Sequence, residues 1–159
     1  MNLPTTPRRP FTIIMAEDDE DDRLLAQDAM EACGSKYLCH TVNDGQELLD
    51  YLRCQGKYIL NDISDLPSVI LLDLNMPILD GRETLKQLKA DTLLCSIPVV
   101  ILSTSSEEED VSKSYRLGAS SYMIKPTKFN LLVDMMKSFN NYWFETASIP
   151  HVVIDKDSK

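Results

Sequence analysis

Two runs constrain this chain more than any other feature: "SVILLD" at 68 to 73 and "IPVVIL" at 97 to 102. Both are almost wholly apolar and rich in β-branched residues, without the alternation of a half-exposed strand. Runs of that kind suit strands covered on both faces, the position of central strands in a parallel sheet flanked by helices. Three more runs read as strands: "FTIIMA" at 11 to 16, "YLCHTV" at 37 to 42 and "SYMI" at 121 to 124. Between them, "DDRLLAQDAMEAC" and "GQELLDYLRC" space their leucines, Met30 and cysteines three or four residues apart, as helices do. "GRETLKQLKAD" and "SEEEDVSKSYRLG" read as shorter, more polar helices. A fifth helix from near Thr127 would carry Leu132, Met135, Phe139, Tyr142 or Trp143, and Thr146 on one stripe.

Strands alternating with helices in 159 residues give five βα units and one α/β domain. The expected architecture is a doubly wound, flavodoxin-like parallel sheet ordered 2-1-3-4-5, with the two apolar runs in mid-sheet. Residues 1–10 read as a loose leader, 11–147 as the domain and 148–159 as a tail. "CQGKYILNDISDLP" reads as a long connection before the third strand.

No apolar run approaches the roughly 20 residues of a membrane span, and "MNLPTTPRRPF" lacks the apolar core of a signal peptide. A cytoplasmic protein is expected. A net charge of -9 opposes binding to nucleic acid or an anionic membrane. Cys33, Cys39, Cys54 and Cys95 form no C-x-x-C pair and read as reduced, mostly buried thiols. Cys33, Cys39 and His40 match no common zinc spacing.

In such sheets ligands gather beyond the carboxyl ends of the strands. The first strand ends in Glu17 and Asp18, the third in Asp73, the fourth in Ser103 and Thr104, and the fifth in Lys125. Three carboxylates, a hydroxyl and an amine should therefore converge. Carboxylate and carbonyl oxygens are hard ligands suited to magnesium. Glu17 to Asp22 are six consecutive acids, of which only the first two belong to the strand end; Asp19 to Asp22 open a helix and suit its positive pole.

The acidic pair in "IIMAEDD", then "VNDGQELL", "VILLDLNMPILDGRE", "IPVVILSTSS" and "LGASSYMIKP" occur in this order. Together they resemble the receiver domain of two-component response regulators over residues 11 to about 140. "DLNMP", the long connection and "NNYWFETASIP" resemble the stand-alone response regulators associated with bacterial phytochromes.

The resemblance implies that Asp73 accepts a phosphoryl group from a phosphohistidine of a sensor kinase or histidine phosphotransfer protein. It implies that Asp18 and Asp73 bind Mg2+, or Mn2+ in its place, with Glu17 acting through water and the Asn75 carbonyl completing the protein ligands. Ser103 would donate to a phosphoryl oxygen, Lys125 would supply positive charge, and Tyr122 matches the family's aromatic switch. A cis Lys125–Pro126 bond is expected by the same likeness. Thr104 stands where related receivers often have a smaller residue, which would narrow the approach of small-molecule phosphodonors. The output would be a protein contact through the fourth helix, fifth strand and fifth helix, with a homodimer as one form of it.

The expected protein is a single-domain response regulator, a phosphoryl-accepting signalling domain and not an enzyme, and with no output domain expected after residue 150 direct transcription control is not expected. Two rivals belong to signalling: a phosphate sink and a phosphorylation-independent binding module. A third is a haloacid-dehalogenase-type phosphatase, which needs an aspartate two residues past the nucleophile, where this chain has Asn75.

Overall fold

In a computed structural model, residues 10–62 and 66–150 are described. The expected leader and tail lie largely outside the described residues.

Five parallel strands form one sheet in the order β2-β1-β3-β4-β5: β1 Thr12–Ala16, β2 Leu38–Val42, β3 Val69–Leu72, β4 Val99–Ser103 and β5 Ser121–Ile124. The doubly wound, flavodoxin-like reading is thus borne out. Each strand is followed by a helix: α1 Glu20–Ala32, α2 Gly45–Arg53, α3 Gly81–Ala90, α4 Glu108–Arg116 and α5 Phe129–Phe139.

The two apolar runs are β3 and β4, and every residue of both strands is buried. Their side chains divide strictly by parity. Ile14, Ile70, Leu72, Val99 and Ile101 pack with Leu48, Leu49, Leu52, Leu85 and Leu88, beneath α2 and α3. Ile13, Met15, Val69, Leu71, Val100 and Leu102 pack with Ala26, Ala29, Met30, Leu132, Met136 and Phe139, beneath α1 and α5. A one-residue register slip would exchange the two cores, so pairing is strongly specified.

Side chains set where α1, α2 and α3 begin. Asp19, Asp44 and Asp80 each accept a hydrogen bond from the N–H three residues on, at 3.0, 2.8 and 2.9 Å. Gly81 is also required sterically, since a Cβ there would lie 2.1 Å from the Asp73 carbonyl oxygen. Gly81 therefore lets α3 start directly against the end of β3.

Several details differ from the sequence reading. The long connection contains a 3-10 turn, Gly56–Tyr58, entered through Cys54 at φ +55°. The fifth helix buries Met136 where Met135 was expected, and its α-helical stripe stops at Phe139. A π-helical segment, Asn140–Thr146, follows, closed by Ala147 N–H donating to the Tyr142 carbonyl at 2.6 Å. A π turn holds an extra residue, so the α-helical spacing no longer keeps a face pointing inward. Tyr142 is left 55% exposed while Trp143 packs on the core. Lys125–Pro126 is trans, as all peptide bonds among the described residues are. Trans is the intrinsically favoured isomer by about 0.5–1 kcal/mol, and the proline ring alone does not overturn that preference.

The cysteines are less buried than expected. Cys33, Cys39 and Cys54 are half-buried at helix ends and on the edge strand, Cys95 is exposed, and none is in a disulfide. The Cys33 thiol contacts the Met30 carbonyl, whereas His40 stacks on Tyr51, so the two share no site. No described helix is long and apolar enough to cross a membrane.

Candidate functional site

Parallel pairing brings the strand ends to one edge. Glu17 N–H donates to Val42 O and Asp73 N–H to Ala16 O, both at 3.1 Å, and Lys125 N–H donates to Ser103 O at 2.8 Å. Glu17, Asp18 and Asp73 each present a carboxylate oxygen within 4.8 Å of the others; Glu17 and Asp73 are buried and Asp18 is exposed. They are the only group of three or more such ligands among the described residues. Ser103 is fully buried at the end of β4.

The Lys125 ammonium donates to Glu17 Oε2 at 2.5 Å and stands 3.7 Å from an Asp22 oxygen. Asp22, read from sequence only as part of a helix start, thus also faces the site. Arg23 was not singled out at all, yet its guanidinium donates to the Glu17 carbonyl at 3.2 Å and to the Asn43 side chain. The sequence signal was a cation one helical turn beyond the acidic pair. Asn75 N–H is 3.4 Å from Asp73 Oδ1, a long contact. The Tyr122 hydroxyl donates to the Ser105 carbonyl at 2.8 Å, and Tyr122 packs against the α2–α3 core.

One ammonium does not offset two buried carboxylates, Glu17 and Asp73, with Asp18 and Asp22 beside them. Burial, reinforced by Asp73, pushes the Glu17 carboxyl up to about 7 against the pull of Lys125. Burial also raises Asp73, with Asp18 adding to it and Lys125 opposing. Lys125 is held charged: burial would lower it, but Glu17, Asp73 and Asp22 outweigh that. A buried anionic cluster short of positive charge is what a divalent cation would relieve. Carboxylate oxygens are hard donors, and three converging within 4.8 Å of one another fit a hard divalent cation such as Mg2+, which retains several waters.

Beside the cluster a groove of about 250 Å3 runs between α1 and the end of β5, lined by Asp22, Leu25, Thr104, Lys125 and Pro126 among others. A larger cleft of about 650 Å3, between Phe11, Ser68 and Trp143, lies at the other end of the strands and takes no part in this site.

The response regulator receiver domain model matches residues 13–137. This chain belongs to that family. Response regulator Rcp1 of Synechocystis sp. is 36% identical over 141 residues, covering 89% of this chain and 94% of Rcp1. The probable methanogenesis regulatory protein FilR2 of Methanothrix harundinacea is 36% identical over 134 residues, 84% of each chain. The phosphorylated cyanobacterial phytochrome response regulator RcpA superposes with a TM-score of 0.81 at 38% identity, covering 89% of this chain and 99% of RcpA. The Mn2+-bound form of Rcp1 gives a TM-score of 0.79 at 35% identity, covering 89% and 99%.

The protein is therefore a response regulator, a two-component signalling protein whose partner is a phosphodonor kinase or phosphotransfer protein. Receiver domains bind Mg2+ or Mn2+ in an acidic pocket, and the pocket here is Glu17, Asp18 and Asp73.

Proposed function

We propose that Asp73 accepts the phosphoryl group from a phosphohistidine of a sensor kinase or phosphotransfer protein. A carboxylate oxygen of Asp73 attacks phosphorus as the phosphorus–nitrogen bond to histidine breaks. The observation that carries this reading is the buried Asp73 carboxylate, grouped with Glu17 and Asp18 and close enough to Lys125 for its charge to act on it. Phosphoryl transfer asks a protein mainly for in-line positioning and charge neutralisation. Lys125 supplies a fixed positive charge, and Ser103 donates its hydroxyl to a phosphoryl oxygen. Asp18, Asp73 and the Asn75 carbonyl hold the divalent ion, with Glu17 reaching it through water. When bound, that ion offsets negative charge on the phosphoryl oxygens.

The phosphorylated domain acts by contact and not by turnover, in the cytoplasm, through the face of α4, β5 and α5 that includes Tyr122. The partner there is a protein, with homodimerisation as one form, because a net charge of -9 disfavours nucleic acid and anionic membranes. Likeness to the cyanobacterial phytochrome response regulator RcpA supports a phytochrome-type kinase as donor.

The test follows radiolabel from a phosphorylated cognate kinase in the presence of Mg2+. Wild type labels, and Asp73→Asn, which keeps the shape but removes the nucleophile, falls to background. Equal labelling of both proteins would sink the assignment.

A further inference from the structure

Ser105, two residues beyond Ser103, joins the site to two helices. Its N–H donates to Ser103 Oγ at 3.2 Å, its carbonyl accepts the Tyr122 hydroxyl at 2.8 Å, and its own hydroxyl donates to Asp110 Oδ2 at 2.6 Å. Asp110 lies in the first turn of α4, and its Oδ1 accepts from Arg82 Nη2 of α3 at 2.7 Å. Every oxygen of this carboxylate thus has a partner on a different element. The bonds from Ser105 and then Arg82 hold the Asp110 carboxyl below its ordinary value. α4 otherwise begins without a side-chain cap and buries only Ser114, so little else fixes its start.

The direction of the Ser103 bond matters. With a backbone N–H on its oxygen, the buried Ser103 hydroxyl keeps its proton for an acceptor in the site, the polarity that an anionic oxygen requires. That N–H is aimed by Ser105, and Ser105 is anchored by Asp110.

We propose that Arg82 and Asp110 are positioning residues for the phosphoryl site: the pair braces Ser105, which orients the Ser103 hydroxyl toward Asp73 and holds the same loop to Tyr122. This rests on the reading of Ser103 as a phosphoryl contact. The competing view is that a partly exposed ion pair only joins two helices, where such pairs contribute little.

Binding of beryllofluoride, a phosphoryl mimic, at saturating Mg2+ separates the two, with the affinity for Mg2+ alone as a control for an intact fold and acidic cluster. Loss of one anchoring hydrogen bond corresponds to about fivefold. Asp110→Ala should therefore weaken beryllofluoride binding about fivefold and leave Mg2+ affinity unchanged. Arg82→Ala should weaken it by about threefold, and Arg82→Lys should recover most of that. In a Ser103→Ala background Asp110→Ala should add less than about twofold, because residues acting through one hydroxyl are not additive. A full fivefold loss in both backgrounds, or none in either, overturns the brace while leaving Ser103 its role. Unchanged beryllofluoride binding by Ser103→Ala itself overturns the reading of Ser103, and the brace with it.

Discussion

Ile78 has φ +67°, and the N–H of Leu79 donates to the carbonyl of Pro77 at 2.7 Å. An i to i+2 bond closed around a positive φ is a rare and strained γ-turn, and β-branched side chains tolerate it worst. Nothing in packing offsets the strain, since Ile78 is 82% exposed. Strain of this kind costs about 1–3 kcal/mol, whereas a glycine in the unfolded chain gives back only about 0.5–1 kcal/mol of entropy. Ile78→Gly should therefore stabilise the protein by about 1 kcal/mol, read as a higher urea midpoint at unchanged slope. A lower midpoint would mean that the side chain makes stabilising contacts despite its exposure. This turn was not legible beforehand: "MPILDG" shows Pro77 and Gly81, but a backbone angle forced on the isoleucine between them is set by how the end of β3 meets α3.

Elements show the same division between what periodicity reveals and what it does not. The helices α1, α2 and α3 were legible because leucine spacing and the aspartates before them act locally, whereas α4 holds no leucine and was marked only by its polar run between two strands. The 3-10 turn Gly56–Tyr58 was not, because a side chain of α2 holds it. Glu47 accepts from Lys57 at 2.8 Å, from the Tyr58 hydroxyl at 2.7 Å and from the Asn43 N–H at 2.9 Å. Likewise the π segment after α5 is fixed by Asn140, which donates to Ser35 at 2.8 Å and accepts from Tyr37, contacts more than 100 residues apart in the chain. For Glu47, burial raises the carboxyl, but Lys57, Asn43 and Tyr58 outweigh it and hold it down to about 2. A carboxyl lower in the folded than the unfolded state binds fewer protons when folded, so its contribution is present above the unfolded value of about 4.5 and disappears as pH falls through about 2. Glu47→Gln should cost about 1 kcal/mol near neutral pH, a modest figure because Lys57 is 65% exposed. The gap between variant and wild type should narrow on acidification, measured by denaturant unfolding at pH 7 and pH 3, and vanish only below about pH 2. A gap that stays constant would assign the loss to packing and not to charge.

At the scale of the whole molecule, sheet order was legible from alternation, and the convergence of Glu17, Asp18 and Asp73 followed from it, because parallel strands deliver their ends to one edge. The pairing within the cluster was not legible. Glu17 and Lys125 are 108 residues apart, and no spacing says that the ammonium leans on Glu17 and Asp22. That arrangement has a global consequence. In a chain already carrying a net charge of -9, folding places several carboxylates around one ammonium, and the repulsion between them opposes the folded state alone. A divalent cation that binds this cluster and not the unfolded chain should therefore stabilise the whole domain, by about 2.7 kcal/mol at a hundred times its dissociation constant. For a chain of this length that corresponds to a rise in melting temperature of roughly 5–10 °C. Calorimetry in chelator and in tens of millimolar Mg2+ measures it. Asp18→Ala removes a ligand from the exposed side of the cluster while leaving Glu17 paired with Lys125, so its melting temperature should respond to Mg2+ by less than half as much as wild type. If wild type and Asp18→Ala rise equally, the stabilising ion sits elsewhere on this acidic surface and the cluster is not its site.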